Sequence, residues 1–123
     1  MLLLTIFAGG ALGAVARYGL STWIYTRIGT TFPWGTLSVN MLGSFVLGLL
    51  LPLLETEVPI TNLRGFLTAG FLSAFTTFST FAYEATRLTR DGEPGRAAVY
   101  VGASVLFGLV SIAGGLTLAQ LLL

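Results

Sequence analysis

The chain has no cysteine, no histidine and no lysine. The first absence excludes disulfides and thiolate metal sites and leaves the redox compartment undetermined. Charge of either sign is scarce: the charged residues, six arginines and five acids, make up 9% of 123 residues, against roughly 25% in a soluble domain. A formal net charge of +1 offers no basic surface for nucleic acid. No acid precedes Glu55. The sequence also lacks H-E-x-x-H, G-x-S-x-G, a phosphate loop and any nucleophile set beside a base, so an enzyme is not expected.

What fills the chain is apolar. Hydrophobic residues make up 54% and the mean hydropathy is +0.88, which places the chain among integral membrane proteins. The start, Met1 to Phe7, is apolar at once and lacks the basic region of a signal peptide. The apolar pattern runs on to Tyr25, so the first span is expected to be uncleaved. No long hydrophilic stretch follows, and no appended soluble domain is expected.

A spanning helix needs about 20 mostly apolar residues. Punctuation divides the chain into four such segments, at roughly 2–25, 34–54, 62–87 and 96–123, in one transmembrane domain covering 1–123. Arg27, Gly29 and Pro33 mark the first loop. Pro52 is expected to kink or loosen the end of the second span, which Glu55, Glu57 and Pro59 close. Arg90-Asp91-Gly92-Glu93-Pro94-Gly95 forms the last turn. Trp23, Tyr25 and Trp34 stand where an interfacial aromatic belt is expected. The side bearing Arg27, Arg87, Arg90 and Arg96 would face the cytoplasm by its positive charge, with Arg64 on the other side, though the margin is small.

Four spans in so short a chain leave one copy thin for enclosing an aqueous path, so self-association is expected. Gly9 and Gly13, and the stripe Ser104, Gly108, Ser111 and Gly115, let helix backbones approach closely. The contact is within or between chains.

Polar residues inside spans need an explanation. Arg17 either snorkels and anchors the fold or attracts anions at a vestibule. Asn40 heads a stripe with Thr36, Gly43 and Ser44 on one helix face. Its amide can donate two hydrogen bonds, which suits an anion giving up water. The run Thr76-Thr77-Phe78-Ser79-Thr80-Phe81, following Gly70, Ser73 and Ala74, puts four hydroxyls in six residues at mid-span. Either the helix is intact and the hydroxyls bond back one turn, or it is broken there. A break frees carbonyls for a cation and creates a half-helix N-terminus that favours anions. Phe78 and Phe81 are core packing, or turn positive ring edges toward an anion. Glu84 either pairs with Arg87 at the surface or lines the mouth of a path. Tyr100 and Ser104 share a face of the fourth span.

These residues resemble the fluoride channel family, the Fluc or CrcB proteins. The resemblance rests on Gly9-Gly10-x-x-Gly13-Ala14-x-x-Arg17-Tyr18, on Gly35-Thr36-Leu37-x-x-Asn40-x-x-Gly43-x-Phe45, and on Gly70-Phe71-x-x-x-x-Thr76-Thr77-Phe78-Ser79-Thr80-Phe81-x-x-Glu84, in that order. It implies an all-α membrane fold of four transmembrane helices with the third broken. It further implies an antiparallel, dual-topology homodimer in the prokaryotic inner membrane, surrounded by lipid. The implied function is passive, selective export of fluoride, giving resistance to its toxicity. Asn40, Phe78 and Phe81 would line the narrow path and Ser79 and Thr80 would form a polar track. Tyr100, Ser104 and Glu84 would lie along or near it, with Arg17 as a vestibule or structural charge. Backbone carbonyls of Ser73 and Thr76 would hold a structural, untransported sodium ion (Na+) between the copies. Ser73-Ala74 stand where many relatives carry Gly-Gly, which requires a backbone conformation open to other residues. A proton-coupled exporter of similar size would need an acid in the first span, where this chain has only Arg17. A non-transporting assembly subunit would explain the small residues but not Asn40 together with the Thr/Ser/Phe run.

Overall fold

A computed structural model describes residues 1–56 and 62–123. The proposed closure of the second span by Glu57 and Pro59 lies outside the described residues. Among the described residues, four helical tracts are long and apolar enough to cross a membrane: Leu2–Ile28, Trp34–Glu55, Asn62–Arg90 and Pro94–Leu122. The chain is an all-helical, multi-pass membrane protein.

Helix α1 (Leu2–Ile28) ends at Gly29, whose φ of 98° only glycine adopts without strain and whose N–H bonds back to the Tyr25 carbonyl. Arg27 therefore closes the helix rather than opening the loop. Helix α2 (Trp34–Thr56) runs through Pro52 to Thr56, past the expected end. The third tract is composite. It comprises α3 (Asn62–Arg64), a π-helical stretch (Gly65–Leu72), α4 (Ser73–Phe75) and α5 (Phe78–Arg90). Helix α6 (Pro94–Leu122) starts with its proline in the first turn, where the missing N–H leaves no hydrogen bond unmade.

Glycine decides how these helices pack. A Cβ on Gly9 would strike the Phe66 carbonyl oxygen, and one on Gly13 the Phe71 carbonyl oxygen. Helix α1 and the π-helical stretch thus touch backbone to backbone, as small residues permit inside a membrane. A Cβ on Gly115 would strike the Phe45 carbonyl, which joins α6 to α2 in the same way. Gly108, from the same stripe, faces open space. The α6 stripe is therefore not one surface: its C-terminal part packs inside the chain and Gly108 does not. The outward faces are rich in large apolar side chains, among them Leu3, Leu12, Val105, Leu109 and Leu121, as lipid requires.

The core nearest the polar residues is small. Leu37, Leu88, Ala97 and Tyr100 are buried together, with Phe81 and Ala85 against them. It locks α5 to α2 and α6 at the end of the molecule where α1 finishes.

Candidate anion site between the helices

The site is built around two residues that leave the helix. Thr76 (φ −81°, ψ 158°) and Thr77 (φ −150°, ψ 116°) are extended, between α4 and α5. Asn40 stabilises that geometry. Its Nδ2 donates to the Thr77 carbonyl at 3.0 Å, and its Oδ1 accepts from the Thr77 N–H at 2.8 Å. A side-chain amide can match the N–H and C=O of one extended residue in this paired way, and the pairing fixes which way the amide points. Thr77 then caps α5: its Oγ1 accepts from the Thr80 N–H at 3.2 Å and lies 3.1 Å from Thr80 Oγ1 and 3.2 Å from Ser79 Oγ.

These bonds have a consequence for the preceding carbonyls. In an unbroken helix the Thr77 N–H would serve the Ser73 carbonyl and the Thr80 N–H the Thr76 carbonyl. Here the first goes to Asn40 and the second to the Thr77 hydroxyl. Ser73 itself has φ −63° and ψ −35°, a conformation open to any residue, so no glycine is needed there. Its hydroxyl bonds the Thr68 carbonyl at 3.0 Å, while the Thr76 hydroxyl bonds the Leu72 carbonyl.

On one side of Thr77 lies a groove of about 420 Å³ whose lining includes Asn40, Ser73, Thr76, Phe78, Phe81 and Ser104. The Ser104 hydroxyl is buried and has no hydrogen-bond partner among the described residues. Phe78 and Phe81 meet at 5.7 Å between ring centroids and 47° between planes. Phe81 continues to the Tyr100 ring at 5.3 Å, whereas Phe78 is 79% exposed. On the other side a second cavity, of about 250 Å³, is lined by Arg17, Tyr18, Ser21, Thr36, Thr77 and Thr80 among others. Thr77 is the wall common to both.

Glu84 and Tyr100 take a different arrangement from the groove residues. Glu84 is buried, and hydroxyls from three other helices donate to it. Tyr25 and Thr36 each reach its Oε1 at 3.0 Å, and Tyr100 reaches Oε2 at 2.8 Å. Among the described residues the single ion pair joins Arg96 to Glu93, so Glu84 and Arg87 do not pair at the surface. The structure thus gathers Asn40, Phe78, Phe81 and Ser104 in one groove, sets Ser79 and Thr80 beside Thr77, and puts Arg17 in the second cavity. Tyr25 and Thr36 had no assigned part in the Glu84 cluster. Tyr25 stands where a belt aromatic is expected, and its partner lies 59 residues away, beyond any periodic pattern. The one available signal was that it is a tyrosine, whose hydroxyl needs a partner when drawn inside.

The profile of the family described as CrcB-like protein, Camphor Resistance (CrcB), matches residues 4–116. The chain belongs to the CrcB family. Among CrcB relatives, a protein of Geobacter sulfurreducens is 46% identical over 119 residues, covering 96% of each chain. One from Acidobacterium capsulatum is 43% identical over 110 residues, covering 89% of this chain and 88% of that one. One from Geobacter metallireducens is 53% identical over 98 residues, covering 79% of each. All three carry the name fluoride-specific ion channel FluC, a channel's name and not an enzyme's.

Proposed function

We propose that this chain forms a fluoride-selective channel, through which fluoride leaves the prokaryotic cell down its gradient and its toxicity is relieved. The observation that carries the reading is the groove lined by Asn40, Phe78, Phe81 and Ser104, the last with a buried hydroxyl that has no hydrogen-bond partner among the described residues. Fluoride is small and strongly hydrated, so a path for it must replace water with fixed donors. Ser104 has a free O–H. One N–H of the Asn40 amide is held by Thr77, which leaves the other for an anion. Ring edges of Phe78 and Phe81 add partial positive charge without competing hydration. Thr77, Ser79 and Thr80 continue the hydroxyls toward the Arg17 cavity.

The groove is open along one side and Phe78 stands mostly bare, which fits a path completed by a second copy. The proposed assembly is an antiparallel homodimer of oppositely inserted subunits. The extended pair Thr76-Thr77 is the proposed break of the third transmembrane helix. The carbonyls of Ser73 and Thr76, relieved of their usual donors, suit a hard cation that takes oxygen ligands. Two from each of two copies would hold a structural sodium ion, which would supply fixed positive charge at the interface.

The test is fluoride efflux from vesicles carrying the purified protein, followed with a fluoride electrode and with chloride as control. Fast fluoride release without chloride is expected. Phe81→Ile is expected to abolish release while leaving the assembly intact on size exclusion. Chloride release at the fluoride rate, or no release from folded protein with sodium present, would remove the function.

A further inference from the structure

The outer end of α5 carries a second basic feature that the proposed path does not use. Above the small side chains of Ala82 and Thr86 opens a cleft of about 510 Å³, walled by Tyr83, Arg87 and Arg90, with Asp91 at its lip. Both arginines are exposed, and neither guanidinium has an ion pair or hydrogen bond among the described residues, where the single ion pair is that of Arg96 and Glu93. Residues 83, 87 and 90 fall on one helix face, so the tyrosine ring and both guanidinium groups border one space.

Its level in the membrane follows from its place at the end of the third apolar tract. Helix α5 begins at the interruption inside the third span, climbs 13 residues and ends at Arg90, where a short turn leads into α6. The cleft therefore opens where a spanning tract leaves the bilayer, at the height of lipid phosphates. Arg27, at the end of α1, lies over the Trp23 ring at 5.7 Å, and Arg96 is held by Glu93, so among the described residues Arg87 and Arg90 are the cations at this end whose guanidinium groups have no partner. A guanidinium offers paired N–H donors to phosphate oxygens, and two of them three residues apart bracket one phosphate. Asp91 at the lip would repel a second one.

We infer that the cleft of Tyr83, Arg87 and Arg90 binds the phosphate of an anionic phospholipid headgroup. The lipid is bound from the surrounding leaflet, independently of whether the protein conducts fluoride. Each arginine near an anionic surface is worth roughly a factor of five in affinity, so losing both should weaken binding roughly thirtyfold.

The experiment is native mass spectrometry of the full-length protein released from micelles doped with either phosphatidylglycerol or phosphatidylcholine. The wild type is expected to retain phosphatidylglycerol preferentially. R87Q/R90Q should lose that preference, R87K/R90K should keep part of it, and all should elute alike on size exclusion because the changes are exposed. Inorganic phosphate in large excess should not displace the lipid. Equal retention of the two lipids by the wild type, unchanged retention by R87Q/R90Q, or displacement by inorganic phosphate would each overturn the proposal, the last by making the ligand a free anion.

Discussion

At the scale of single residues, the buried polar groups are in close mutual accord. Among the described residues Glu84 has three hydroxyl donors and no cation, so its neighbours are as dependent on it as it is on them. Replacing it with alanine would leave the Tyr100 hydroxyl without this acceptor, at about 1–3 kcal/mol, while the Tyr25 and Thr36 hydroxyls, 3.3 Å apart, could still bond each other. Glu84→Ala and Tyr100→Phe should therefore combine non-additively. The double variant is expected to lose at least 1 kcal/mol less stability than the sum of the singles, measured by thermal unfolding in detergent or by unfolding force. Strict additivity would mean that the hydrogen bond contributes nothing. Asn40 was legible in the sequence as a donor in a span, but its binding to both backbone groups of one residue was not. That depends on the extended shape of Thr77, which no residue near Asn40 encodes. Glu84 was legible as a residue needing an explanation, while its partners lie on three other helices and leave no local trace.

Helices and their junctions account for most of what the sequence made readable. Four apolar runs separated by glycine, proline and charge gave the spans to within a few residues. The misplaced ends have local causes: Arg27 stays helical until Gly29 turns the chain, and Pro94 begins α6 instead of preceding it. The π-helical stretch could not be read, because widening a helical turn changes no hydrophobic period that eight residues could display. Small residues in stripes were legible as packing surfaces, yet which of them pack depends on the neighbour. Gly13→Ala is expected to destabilise the fold by several kcal/mol, since a methyl group would push the backbones of α1 and Phe71 apart. Gly108→Ala should be neutral or slightly stabilising in the same single-chain background, by helix propensity. Comparing the two thermal midpoints in detergent checks the assignment, and a Gly108→Ala loss as large as that of Gly13→Ala would contradict it.

For the whole molecule, the proposed pair of copies makes sodium a matter of assembly rather than of transport. Removing sodium, with N-methylglucamine in its place, is expected to lower the dimer fraction in dilute detergent and to slow fluoride efflux, both restored by adding sodium back. A dimer and an efflux rate indifferent to sodium would separate the Ser73 and Thr76 carbonyls from any cation. Charge distribution belongs to this scale too. One end of the bundle carries Arg27, Arg87, Arg90 and Arg96, and the other Arg64. That arginine bias favours one orientation and fits the proposed opposite insertion of the two subunits poorly.

The Glu84 cluster also sets an order of events during synthesis. Tyr25 and Thr36 have left the ribosome before Glu84 follows, so one oxygen of the carboxylate can be satisfied as soon as the third tract inserts. The other must wait for Tyr100, in the last helix to be made. Until α6 docks, the nascent protein holds a half-satisfied acid inside the bilayer, a costly state that ends only when the final span arrives. A chain cut short before Tyr100 would keep that defect, so a single side chain marks whether the last helix has been made as far as its partner.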